Sequence, residues 1–207
     1  MKILFLSQRV PYPPNRGDKI TTWRLIERMR REHEVAVLAF AHDAADLKAA
    51  EDLNAMGIET VPFPHNAKAA KLRSLPLLLG RTPMTLGVYG SRELQRETDR
   101  RIAAADVTYA YSSSMGAFFL PHTDARRVMH FAELDSDKWR QYAERTSFPA
   151  SWVYRREWRT LREFEKRLAH SCEQNVFCTP LEQRIFDEAI PGAPSTVLRN
   201  GVDLETF

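Results

Sequence analysis

Lys2-Ile3-Leu4-Phe5-Leu6-Ser7 is a nearly continuous apolar run that breaks at Pro11-Tyr12-Pro13-Pro14-Asn15-Arg16-Gly17. A strand covered by helices on both sheet faces has no wet side, so it loses the polar alternation of a half-exposed strand and reads this way. The same signature returns at Val35–Phe40, Ile58–Phe63, Val107–Tyr111 and Arg127–Phe131, and in shorter form at Asn175–Cys178 and Thr196–Leu198. Between these runs the spacing predicts helices. One follows Asp18 as N-cap, with Ile20, Trp23, Leu25, Ile26 and Met29 on its apolar face. Others are predicted over 43–56, closed by Gly57, and over 66–79, 91–105, 114–120, about 150–170 and 180–189, while 81–90 and 130–138 read as loops. Parallel strands need crossover connections, so the alternation predicts a doubly wound, mostly parallel α/β sheet with helices on both faces, one domain over residues 1–207.

Composition narrows the function classes. The 207 residues are 43% hydrophobic and 28% charged, enough apolar material for one sizeable core. A formal charge of +3 and the absence of any recognised nucleic-acid module argue against nucleic acid as partner. Mean hydropathy is −0.43, and no apolar run reaches the length of about 18 residues that a bilayer-crossing helix needs. Cys172 and Cys178, the two cysteines, suit neither a disulfide framework nor a four-ligand zinc site, and a reducing cytoplasm fits them. No Gly-x-Gly-x-x-Gly or Gly-x4-Gly-Lys-Ser/Thr motif is present, which argues against a dinucleotide fingerprint and a P-loop.

In an open parallel sheet, ligands bind outside the carboxyl ends of the strands, so the loops that follow the strands are where function is sought. After the first strand, Asn15, Arg16 and Gly17 precede a helix N-terminus, where a missing side chain and the helix dipole suit an anion. A tight turn is the alternative. After the fourth, Ser112-Ser113-Ser114-Met115-Gly116 offers hydroxyls at another helix start; Ser113 and Gly116 are the candidates there, against an ordinary cap. After the fifth, His130, Glu133, Asp135, Asp137 and Lys138 gather one imidazole, three carboxylates and an ammonium beside Trp139. These groups can hydrogen-bond vicinal hydroxyls or move protons, and an indole can cover a sugar face.

Glu157 and Glu165 have the separation of the paired glutamates of retaining glycosyltransferases, but they fall in an Arg/Glu-rich helix where such spacings recur and produce exposed ion pairs. Arg155, Arg156, Arg159, Arg162 and Arg167 interleave there with Trp152, Trp158, Leu161, Phe164 and Leu168, as in a surface helix covering the core. Lys68, Lys71, Arg73 and Arg81 flank Leu72, Leu75 and Leu77–Leu79, a pattern that suits peripheral membrane contact or packing against the sheet.

The opening Lys2–Ser7 with Pro11–Pro14 and Gly17, then His33–Leu38, and finally Leu198-Arg199-Asn200-Gly201-Val202-Asp203-Leu204-Glu205-Thr206-Phe207 resemble, in order and spacing, the N-terminal half of glycosyltransferase family 4, enzymes of the two-domain GT-B architecture. Asp135-Ser136-Asp137-Lys138-Trp139-Arg140-Gln141-Tyr142-Ala143 further resembles the sugar transferases of bacterial PEP-CTERM/exosortase exopolysaccharide systems. The resemblance implies a Rossmann-like acceptor-binding half, its donor-binding domain absent from this chain, taking part in retaining transfer of a sugar from a nucleotide-sugar donor to a glycan or lipid-linked acceptor. It implies no metal and no cofactor, and a fragment inactive alone at the cytoplasmic membrane face. A nucleotide-sugar epimerase half and a non-catalytic glycan- or protein-binding module are the alternatives.

Overall fold

A computed structural model describes residues 1–199. Seven strands form one sheet: β1 (Lys2–Ser7), β2 (Glu34–Ala41), β3 (Glu59–Pro64), β4 (Val107–Tyr111), β5 (Arg127–Ala132), β6 (Gln174–Phe177) and β7 (Ser195–Val197). Every pairing is parallel, in the order β3-β2-β1-β4-β5-β6-β7. The helices are α1 (Gly17–Met29), α2 (Ala44–Ala55), α3 (Ala67–Ser74), α4 (Met84–Val88), α5 (Arg92–Ile102), α6 (Ser113–Phe119), α7 (Asp135–Arg145), α8 (Ala150–Ser171) and α9 (Pro180–Ala189), with a 3-10 turn over Leu75–Leu79.

The doubly wound Rossmann-like α/β fold follows from the strands' two apolar faces. In β1, Ile3 and Phe5 enter a core completed by Ile26 of α1 and Leu53 of α2. Leu4 and Leu6 enter the other, with Leu94, Phe119, Leu161, Leu168 and Phe186 from α5, α6, α8 and α9. Burying a side chain of this size stabilises by about 1.5–3 kcal/mol, so a polar residue on either face of β1 would be costly. Local signals fix the helix ends: Asp43, Asn66, Ser91 and Thr179 each accept a hydrogen bond from the backbone three residues on, and Gly57 closes α2 at a φ of 79° that L side chains avoid.

Several expectations change. Arg16 rather than Asp18 is the N-cap of α1, and Asp18 lies in its first turn, bound by Arg9 and Arg16. Ile20 is exposed, while Lys19, Thr21 and Thr22 are buried. The helix expected over 66–79 gives way to the 3-10 turn because Pro76 has no N–H to donate to Leu72. The loop expected over 81–90 contains α4, and the loop expected after β5 is the first turn of α7, with Asp135 and Asp137 at its positive N-terminal end. Glu157 and Glu165 are buried and not members of exposed ion pairs. Of the motif from Leu198 to Phe207, all but Leu198 and Arg199 lies outside the described residues.

Candidate functional site

The strand order reverses between β1 and β4, and a groove of about 1050 Å³ opens over the carboxyl ends of the strands there. Its floor carries Gln8 after β1, Tyr111 and Ser112 at the end of β4, Ala132 and Glu133 at the end of β5, and Cys178 after β6. Around the floor stand Gly17, Asp18 and Thr21 of α1, Lys71 and Leu72 of α3, and Met84, Thr85 and Val88 of α4. Asp135, Lys138 and Trp139 of α7, with Val153, Tyr154 and Glu157 of α8, complete it. The turn that opens α1 and the acidic stretch after β5 therefore share one groove.

Two floor residues hold unusual backbone. Ser112 has φ 79° and Ala132 φ 61°, both in the left-handed region where a Cβ crowds the next carbonyl. Each costs roughly 1–2 kcal/mol. The reversal at Ser112 lets its N–H donate to the His130 carbonyl at 2.8 Å while α6 begins at the next residue. At Ala132 the β5–β6 register slips, and Glu133 then turns toward the groove. Neither residue type advertises this conformation, so the sequence carried no signal for it.

The charged groups fall into two kinds. Asp135 is partly buried, and its Oδ2 accepts the Ser113 hydroxyl at 2.5 Å. Burial is the main force on its carboxyl and raises its pKa, with the neighbouring Glu133 charge adding to the rise and Ser113 opposing it. Lys138 and Glu133 face solvent and pair at 3.1 Å. Behind Asp135, the fully buried Glu165 accepts the Ser136 N–H at 3.2 Å; burial drives its pKa well above the ordinary range, and its second oxygen has no partner. Glu157 is the carboxylate that builds the groove wall. Its oxygens accept the Met84 and Thr85 amides and the Thr85 hydroxyl, each at 2.8 Å, and so cap α4 from outside its own chain segment.

The candidates separate accordingly. Gly17, Glu133, Asp135 and Lys138 line the groove, and Ser113 lies directly beneath it, buried against Asp135. Asn15 and Arg16 stay outside its lining, Arg16 being turned to Asp18 at 2.7 Å. Asp137 points away to Arg140 and Gln141. Gly116 is a packing glycine: a Cβ there would come within 2.6 Å of Leu168. His130 is buried beneath the floor, with Nδ1 2.8 Å from the Tyr109 hydroxyl and Nε2 3.3 Å from Cys178 Sγ. Burial lowers its pKa to about 4, so it is neutral at pH 7.

Sequence reasoning missed three groove-lining tyrosines, Tyr89, Tyr111 and Tyr154, the last packed on Trp139 with ring centroids 5.5 Å apart. It also missed the buried Lys19–Asp46 ion pair at 2.7 Å, which ties Tyr12 of the proline loop to the His42 amide after β2. A lysine on an otherwise apolar helix face was the available signal. Among the described residues, no cluster of three or more His, Cys, Asp or Glu side chains is placed to hold a metal ion.

No family model and no curated protein matches this sequence. Solved structures do match. Sucrose-phosphate synthase from Thermosynechococcus elongatus superposes with a TM-score of 0.65 at 10% identity, over 100% of this chain and 50% of that one. UGT2 of Phytolacca americana, complexed with UDP-2fluoro-glucose and pterostilbene, gives 0.54 at 10% identity, over 98% and 54%. The N-terminal domain of Candida albicans trehalose-6-phosphate phosphatase gives 0.54 at 12% identity, over 99% and 49%. The shared feature is the fold. This chain spans about half the length of these three structures.

Proposed function

We propose that this chain is the acceptor-side half of a glycosyltransferase of GT-B architecture. In that reading the complete protein transfers a hexosyl group, with retention, from a nucleotide-sugar to a glycan or lipid-linked acceptor in bacterial exopolysaccharide synthesis. The observation that carries the reading is the meeting of the Gly17 turn with Glu133, Asp135 and Lys138 in one groove at the sheet's switch point. The binding of UDP-2fluoro-glucose by the similarly folded UGT2 agrees with it.

The chemistry divides among the lining groups. Asp135, with its raised pKa and a Ser113 hydrogen bond fixing one oxygen, offers the other to an acceptor hydroxyl. Glu133 and Lys138 supply an exchangeable acceptor and donor, and Trp139 an apolar plate against a pyranose face. A Cβ at Gly17 would meet nothing within 4 Å, and its φ is not in the left-handed region, so neither packing nor conformation within this chain demands glycine there. Close approach by a ligand to the N-terminus of α1 is the remaining demand, and that terminus suits a phosphate. Stabilisation of the departing diphosphate falls mainly to a second domain, so this chain alone is expected to bind acceptor and to lack turnover.

Thermal-shift measurements on the chain test this division. The expected result is stabilisation by glycan or lipid-linked sugar and little by UDP-glucose alone. Strong, donor-specific stabilisation by UDP-glucose without acceptor would contradict it.

A further inference from the structure

Five large apolar side chains stand exposed on two segments beside the groove, and Leu72 and Leu75 among them line it. Leu79 is 93% exposed, Phe148 81%, Leu72 68%, Trp152 52% and Leu75 47%. These residues converge from two distant segments. Arg156 of α8 donates to the carbonyls of Leu77, Gly80 and Thr82, which fastens the 3-10 turn to α8. Trp152 lies one helical turn before Arg156 on the same face of α8, and Phe148 lies in the loop just before that helix. Leu72, Leu75 and Val153 line the same groove, which joins the two segments a second time.

The two segments that carry the patch bear charges of one sign. From Thr60 to Arg92 the chain contains no carboxylate but carries Lys68, Lys71, Arg73 and Arg81, and from Arg145 to Arg156 it again contains none, with Arg145 and Arg155 exposed. None of these six cations forms an ion pair among the described residues, and neither stretch holds a carboxylate to balance them. The formal excess of the whole chain is only +3, so the unbalanced positive charge is concentrated here.

We propose that this patch seats the protein on an anionic phospholipid bilayer, with the groove opening at the membrane surface. Leucines flanked by lysine and arginine, with a tryptophan and a phenylalanine at the same level, are what an interfacial helix presents to acyl chains and headgroups. The core of a protein–protein interface is depleted in lysine, so the unbalanced cations favour phosphate headgroups over a protein partner. No helix among the described residues is long and apolar enough to cross a membrane, and the proposed contact uses none. The expectation that the leucines pack against the sheet fails for Leu72, Leu75 and Leu79, which face solvent. The proposal does not depend on the transferase reading: a binding module with the same patch would dock the same way.

Flotation of the chain with vesicles of phosphatidylcholine alone, and of equal parts phosphatidylcholine and phosphatidylglycerol, tests it. The expected result is binding to the anionic vesicles only, weakened by salt, reduced about five-fold for each of Arg73→Gln and Arg81→Gln, and abolished by Leu79→Glu with Trp152→Glu. All four side chains are exposed, and unchanged circular dichroism and melting temperature would show that the variants fold. Equal binding to both vesicles, no binding to either, or binding unaffected by the Leu79→Glu/Trp152→Glu pair would overturn it. So would absence of vesicle binding together with concentration-dependent self-association that the same pair abolishes, which would assign the patch to a second copy.

Discussion

Single residues set the pH response. His130 is buried with its pKa lowered to about 4, against 6.5 when exposed, because burial penalises its charged form. The unfolded chain therefore takes up a proton near pH 6.5 that the folded chain refuses until about pH 4, so stability held above 6.5 is lost on acidification across that window. His130 alone accounts for about 2 kcal/mol of loss between pH 7 and 5, and chemical denaturation of His130→Phe at the two pH values should show a correspondingly flatter dependence. Glu165 runs the other way. Its raised pKa keeps a proton in the folded state that the unfolded state has released, so stability falls as pH rises above about 4.5. Glu165→Gln should melt higher than the wild type at pH 8 and show little difference at pH 4; an equal shift at both would mean that burial does not hold this carboxyl protonated. At Gly17 the demands of fold and ligand separate: Gly17→Ala should keep or slightly raise the melting temperature, alanine being up to about 1 kcal/mol the better helix former, while weakening ligand binding.

The next scale is the element, where Glu157 matters most. Replacing it with Ala removes three hydrogen bonds and leaves the Met84 and Thr85 amides at the start of α4 without their acceptor. A loss of roughly 2–4 kcal/mol is expected, with faster amide exchange confined to α4 and the adjoining 3-10 turn. Uniformly faster exchange would mean that Glu157 supports the core and not the groove wall. The sequence displayed most elements because the strands keep both faces apolar, as in Leu4 against Phe5, and because Asp43, Gly57, Ser91 and Pro180 mark helix ends by chemistry that acts locally. It hid α7 because Leu134, the residue before it, offers no capping side chain, and its two aspartates read as ligand groups when one of them is a helix-start charge paired with Arg140. It hid the role of Glu157 because its partners lie more than seventy positions away, at Met84 and Thr85, and nothing local records them.

Across the whole molecule, the parallel order β3-β2-β1-β4-β5-β6-β7 makes the site: reversal at β1 and β4 brings loops from distant parts of the chain to one edge. That much was legible, since the alternation of strands and helices dictates where a groove must lie. Which side chains line it was only partly legible. Gly17, Glu133, Asp135 and Lys138 reach it, while His130, the last residue of β5 paired before the break in the β5–β6 register, stays within the strand beneath the floor against Tyr109 and Cys178, which adjacency in sequence does not reveal. Amide spectra of the chain titrated with octyl glucoside below its micelle concentration, as an amphiphilic sugar probe, test the shared groove most directly. Gly17, Asp18, Ser112 and Lys138 are expected to shift together along one binding curve, and Asp135→Asn to weaken all four alike. Shifts confined to one of these loops, or following separate curves, would mean that they do not form a common site.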